Sequence, residues 1–97
     1  MVHKQLKALD KTLLLAIGRA NNFSLSKHSS IHVIRNYYPK ELKKEGKIVS
    51  KMESRSFGRL ESKKLINKHS TGKKITWDLT REGRNKALEL NDIKNKK

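Results

Sequence analysis

Cysteine is absent from the 97 residues, which excludes a disulfide framework and a zinc–thiolate site and fits a reducing interior. Long apolar runs are absent too. The longest, Leu13 to Ile17, is far too short for a signal-peptide core or a membrane span. The opening Met-Val-His-Lys-Gln is not a myristoylation site and the closing residues are Asn-Lys-Lys, so no lipid anchor is expected. The sequence contains no internal repeat, and its low complexity is confined to Lys94–Lys97, a stretch expected to fray. Apolar residues make up only 34%, so the core must be small. A single domain spanning 1–97 is expected, large enough to bury more than half of its unfolded surface, and its expected place is the cytoplasm.

Acidic residues are the other scarcity. Nine Asp and Glu face 24 Lys and Arg, a formal net charge of +15. Self-repulsion on that scale opposes the compact state and calls for a polyanionic partner. An anionic membrane is the main rival and would call for a basic amphipathic helix with aromatic anchors or a lipidation signal. Enzymatic chemistry finds no support. Carboxylates such as Glu41, Glu45, Glu53 and Glu61 stand at spacings expected of helix salt bridges. The serines have no base and orienting acid beside them, and no glycine-rich loop suggests a phosphate cradle. His28 and His32, four apart, lack an evident third ligand for a metal. No cofactor is expected.

Periodicity divides the chain into four helical segments and a hairpin. From Lys4 to Asn21, Leu6, Leu9, Leu13, Ile17 and Ala20 recur at helical spacing, and Asn21-Asn22 is a plausible stop. A polar connector, Ser24 to Ser30, holds one buried-type residue, Leu25. Ile31 to Glu45 reads as a second helix interrupted or restarted at Pro39. The alternative, which the β-branched content supports, is a short strand at His32–Arg35 followed by a helix from Pro39. Gly46 ends this segment. Ser50 with Glu53 three residues on forms a capping-box pattern, opening a third helix that runs to about Lys64. Val49, Met52, Ser56, Phe57, Leu60 and Lys64 line one side of it. Strands are expected at Ile66–His69 and Lys74–Leu79, joined by Ser70-Thr71-Gly72-Lys73. In the second strand Ile75, Trp77 and Leu79 alternate with polar residues. Trp77 is therefore read as core, with stacking on a nucleobase as the alternative. Of Tyr37 and Tyr38, one is expected buried and the other free to bond a phosphate. Thr80 caps a last helix from Arg81 to about Ile93, with Glu82 in its first turn.

The order helix, helix, helix, hairpin, helix resembles the winged helix-turn-helix, a mainly α fold with a small β-hairpin (α+β). The stretch Val49 to Ile66, ending Arg59-Leu60-Glu61-Ser62-Lys63-Lys64-Leu65-Ile66, is similar to the recognition helix of MarR- and PadR-type regulators. Ile75 to Arg84 resembles the return strand of the wing and the start of the final helix. Tyr37 to Gly46 is similar to winged-helix domains of archaeal replication initiators. The two motifs span residues 37 to 84. These families usually carry glycine at the position of Lys64, so a looser turn is expected before Leu65-Ile66.

The resemblance implies a duplex-DNA partner, with the third helix in the major groove and residues 67–79 as a wing on the backbone or in the minor groove. Lys51, Ser54, Arg55, Gly58, Arg59 and Ser62 share the face opposite Phe57 and Leu60. Ser50, Lys51, Ser54 and Arg55 would sit deepest, with Arg55 the candidate for bidentate contact with guanine. Lys51, Arg59 and Lys63 are candidate phosphate contacts, as are Lys68, Lys73 and Lys74 on the wing. Such regulators usually pair through terminal helices. The stripe Ala87, Leu88, Leu90 and Ile93 is available for a homodimer or for packing within its own domain. Three functions remain in view: a sequence-specific transcriptional regulator, a DNA-coating or plasmid-partition protein, and a structured-RNA binder.

Overall fold

A computed structural model describes residues 6–43 and 50–95. The expectations for Gly46, for the turn Lys47-Ile48-Val49 and for the first five residues lie outside that range. The chain is an α+β domain: α1 (Ala8–Ala20), β1 (Ser29–Ser30), α2 (Ile31–Arg35), α3 (Lys40–Lys43), α4 (Ser50–Ser62), β2 (Ile66–Thr71), β3 (Lys74–Leu79) and α5 (Arg81–Asn95). The strands form one antiparallel sheet in the order β1-β3-β2.

The first helix starts at Ala8 rather than Lys4, with Lys7 at the cap in extended backbone and making no side-chain cap hydrogen bond. Every residue from Leu13 to Gly18 is buried, so α1 is covered on several sides and not along one stripe. It packs against α2, α4, β3 and α5. Its end falls where Asn21-Asn22 predicts. Asn22 and Phe23 take positive φ, and the Phe23 amide donates to the Gly18 carbonyl at 2.7 Å in a Schellman turn. The fully buried Asn21 side chain donates to the Trp77 carbonyl at 3.2 Å and accepts from the Ser29 hydroxyl. One amide thus ties the end of α1 to β1 and β3.

Strand β1 has no counterpart in the sequence reading, which expects only a hairpin. Two serines carry no apolar alternation. Their strand conformation comes from pairing Ser29 with Trp77 and Ser30 with Thr76. The alternative of a strand at His32–Arg35 does not hold, since those residues lie in α2. The break at Pro39 does hold. Proline disfavours helical backbone at Tyr38 before it, and the Leu42 amide then donates to the Pro39 carbonyl as α3 begins. Tyr38 is buried and Tyr37 exposed, dividing the pair as expected. Leu25, expected buried, is exposed.

The buried stripe of α4 is Glu53, Ser56, Phe57 and Leu60, whereas Met52 is 49% exposed and stands off the expected side. The turn after α4 is tight, contrary to the looser one expected. Lys64 adopts φ +61°, its amide donates to Glu61, and the Leu65 amide donates to Leu60 at 3.0 Å. This full Schellman turn places an L-residue with a side chain where glycine is favoured. Lys64→Gly is therefore expected to stabilise the fold by about 1 kcal/mol, raising the melting temperature by about 5 °C. An unchanged or lower melting temperature would show that the backbone there is not left-handed.

The hairpin joins β2 and β3 with Ile66 opposite Leu79 and Thr71 opposite Lys74. Its two-residue loop has Gly72 at φ +57°, as the first position of a type II′ turn demands. Thr80 caps α5 as expected, accepting from the Gly83 amide at 3.0 Å. Of the terminal stripe, Ala87 is buried and Leu90 packs on the core, while Leu88 is exposed. Ala87 lies beside Gly18 of α1, so the two outer helices cover each other. The Ile93 side chain lies outside the described residues. No helix among the described residues is long and apolar enough to cross a membrane.

Candidate nucleic-acid interface

The outer face of α4 follows from its inner one. Burying Glu53, Ser56, Phe57 and Leu60 turns Lys51, Ser54, Arg55, Gly58 and Ser62 to solvent. Ser50 opens the helix, but its side chain lies outside the described residues. Lys63 is half-buried.

Arg59 departs from the expected face. It sits one residue, about 100°, from the buried Leu60, at the flank of the helix and within reach of α1. Its Nε and Nη2 donate to Asp10, with Nη2 to Oδ1 at 2.8 Å, and the Ser56 hydroxyl donates to the same oxygen at 2.6 Å. The Asp10 side chain is 0% exposed and that of Arg59 is 32% exposed. Burial alone would raise the Asp10 carboxyl. The hydrogen bonds from Arg59 and Ser56, together with the guanidinium charge, outweigh it and hold the carboxyl below the usual carboxylate range. Arg59 thus clamps α4 to α1.

A second buried carboxylate does the same between α4 and α2. Glu53 accepts from Arg35 Nη2 at 2.6 Å, from Arg35 Nε at 3.0 Å and from the Tyr38 hydroxyl at 2.7 Å. Both its oxygens are occupied, so Glu53 faces inward to α2 and is not the free partner of the capping box. Burial pushes its carboxyl up, but the Arg35 and Tyr38 hydrogen bonds and the Arg35 charge bring it below the ordinary value. Burial and the neighbouring Glu53 carboxylate both push the Tyr38 hydroxyl up, so Tyr38 is a permanent donor. The sequence signal for both clamps is a charged residue on an apolar stripe. Asp10 stands with Leu13, Leu14 and Ile17, and Glu53 with Ser56, Phe57 and Leu60. An acid at such a position requires an inward partner.

Between α4 and the hairpin lies a groove of about 480 Å3, lined by Ser54, Phe57 and Gly58 from the helix and by Lys68, Ile75 and Trp77 from the strands. Register explains which hairpin residues reach it. Lys68 pairs with Trp77, and Ser70 with Ile75, and opposed residues share a sheet face. Lys74 falls on the other face with His69, whose Nε2 lies 2.9 Å from Asp78 Oδ2. Lys73 is at the exposed turn. The four basic residues grouped at the wing in sequence are therefore split, with Lys68 toward α4 and the others toward the tip or the far face. Trp77 is half-buried. Its ring meets Phe57 edge-on with centroids 4.7 Å apart, and Lys68 Nζ stands 5.8 Å from the ring centroid, a cation–π distance. Glu61 also lines the groove. Across protein-family models, curated proteins and solved structures, no match to this chain is found.

His28 and His32 are both exposed. The His28 ring lies 5.6 Å from that of His69. Among the described residues no group of three or more His, Cys, Asp or Glu is placed to hold a metal.

Proposed function

We propose that this protein binds duplex DNA as a winged helix-turn-helix, with α4 in the major groove and the β2–β3 hairpin against the flanking backbone or minor groove. The observation that carries the reading is the outer face of α4. Lys51, Ser54 and Arg55 stand exposed there, beside a hairpin whose Lys68 opens toward the same groove. The succession of α4, the β2–β3 hairpin and α5 also supports the reading.

Each side chain has a distinct part. Arg55, a planar fork, pairs with guanine O6 and N7. Ser54 is a short donor beside Gly58, where the backbone comes closest to the base edges. Lys51, Lys68, Lys73 and Lys74 meet phosphates and set position without reading sequence, as does Lys63 at the end of the helix. Arg59 holds α4 in place rather than touching DNA, because its charge is compensated by Asp10. Glu61, at the groove edge, repels phosphate and accepts only from a base amine. The role is that of a transcriptional regulator kept with the DNA in the cytoplasm, and it has no catalytic step or cofactor. Pairing of copies, if it supports the regulator, does not use Ala87, which the chain buries itself. Coating of DNA without sequence choice is the second reading, favoured by the +15 charge.

Binding titrations on a selected duplex and on random duplex separate the two. Arg55→Ala is expected to cost about 1–3 kcal/mol on the selected sequence and much less on random DNA. Lys73→Ala is expected to weaken both alike and to lower the salt slope by about one. Equal losses for Arg55→Ala on both duplexes would remove the base-reading role and leave coating. Preference for structured RNA over every duplex would remove both.

A further inference from the structure

We infer that the chain has a second duplex-binding face and bridges two DNA molecules, the second held at a basic cleft between α1, the segment 37–40 and α5. This rests on the reading of α4 and the hairpin as the first contact. The cleft measures about 370 Å3, and Lys11, Arg19 and Lys40 line it together with Thr12, Tyr37 and Leu90. No carboxylate is among its described lining residues.

Three observations make it a phosphate site. First, the arginine is oriented by a neutral amide. Arg19 Nη2 donates to the Asn91 amide oxygen at 3.0 Å, whereas Arg35 and Arg59 are each compensated by a carboxylate. Second, the chemistry of the lining is mixed in the way a sugar–phosphate strand is. Cations and the Thr12 and Tyr37 hydroxyls suit phosphate oxygens, and Leu90 gives an apolar surface for sugar. Third, the cleft points away from the first interface. At about 100° per residue, Leu15 and Arg19 lie on the side of α1 opposite Asp10, and Asp10 is the residue that faces α4. A ligand there does not compete with one on α4.

The occupant is a second duplex, because its backbone supplies one negative charge about every 1.7 Å to a rim with three cations. Contact is to the backbone, which these cations and hydroxyls hold without reading sequence. One chain thus links two duplexes without self-association.

The test uses the full chain in two assays: affinity for one labelled duplex by fluorescence anisotropy, and capture of a labelled duplex on a bead-bound one. Lys11 and Lys40 are both exposed, so Lys11→Gln/Lys40→Gln leaves the core untouched. The double variant is expected to hold its single-duplex affinity within about twofold while capture falls about tenfold or more and the salt slope of capture drops by about two. Capture by the variant equal to wild type, or a wild type that binds one duplex and never captures a second, overturns the bridging face and leaves the α4 reading intact. A wild type that binds no duplex at all overturns both.

Discussion

Gly83→Ala is expected to cost about 4 kcal/mol or more, a large part of the stability of a domain this size. A Cβ on Gly83 would lie 1.7 Å from the Leu65 carbonyl oxygen and 2.7 Å from its carbon. Both atoms are backbone, so no side chain can swing aside. Relief requires the start of α5 and the turn after α4 to separate, and the bonds that join them would go with it. The Thr80 amide donates to Leu65 at 3.1 Å, the Thr80 hydroxyl donates to the Lys64 carbonyl at 2.6 Å, and the Gly83 amide donates to that hydroxyl. Overpacking at about 1–3 kcal/mol and about 1 kcal/mol for each lost hydrogen bond together give the magnitude. The melting temperature should fall by about 20 °C or more. Gly58→Ala is the internal comparison. Nothing lies within 4 Å of its Cβ, so it should be neutral or stabilising by up to about 1 kcal/mol. Similar melting temperatures for the two variants would contradict the close approach at Leu65.

Asp10→Ala is expected to cost about 3 kcal/mol at neutral pH, measured by urea denaturation. Removing one member of a buried pair strands the other. Here the Ser56 hydroxyl is left with no acceptor in a fully buried place, and Arg59 is left partly covered. Arg59 keeps a third of its side chain in water, which holds the cost to the lower end of the usual range. The loss should depend on pH. The Asp10 carboxyl is lowered from an ordinary 3.8 and that of Glu53 from 4.5. A carboxyl lowered on folding contributes stability that is complete above its unfolded value and is lost as pH falls through its folded one. Wild-type stability should therefore decline below about pH 4.5. Glu53 is common to both proteins, so the gap between wild type and Asp10→Ala should narrow only as pH falls below about 3.8, the ordinary Asp10 value. A gap that stayed constant to pH 3 would mean that the Asp10–Arg59 clamp contributes nothing through its charge.

Both expectations concern how α4 is held, and they bear on function because the proposed interface is the other side of that helix. The clamps at Asp10 and Glu53 fix the rotation of α4 about its axis. That rotation decides that Lys51, Ser54 and Arg55 face solvent while Arg59 turns to Asp10. Local pattern was sufficient for the existence of the helices and the hairpin. Asn21-Asn22, Pro39 and Thr80 each act through the backbone of their own segment, and the structure follows them, whereas the alternation from Ile75 to Leu79 marks a strand whose burial does not alternate, Ile75 being exposed.

The chain's sequence by itself therefore determined the α+β class, most of the element boundaries and a net charge of +15. Tertiary structure decided the rest. Strand β1 exists because Ser29 and Ser30 find β3, not because serines favour strands. Met52 is exposed and Glu53 buried because Arg35 at the end of α2 and Tyr38 just after it wait to receive a carboxylate. Arg59 is withdrawn from the outer face because Asp10, 49 residues earlier, lies opposite its flank of the helix. Lys64 takes a backbone that its own residue type disfavours, because the turn there is drawn tight by Leu60, Thr80 and Gly83. In each case the deciding partner is distant in sequence, and pairwise charge and hydrogen-bond complementarity between distant residues leaves no periodic trace in one segment.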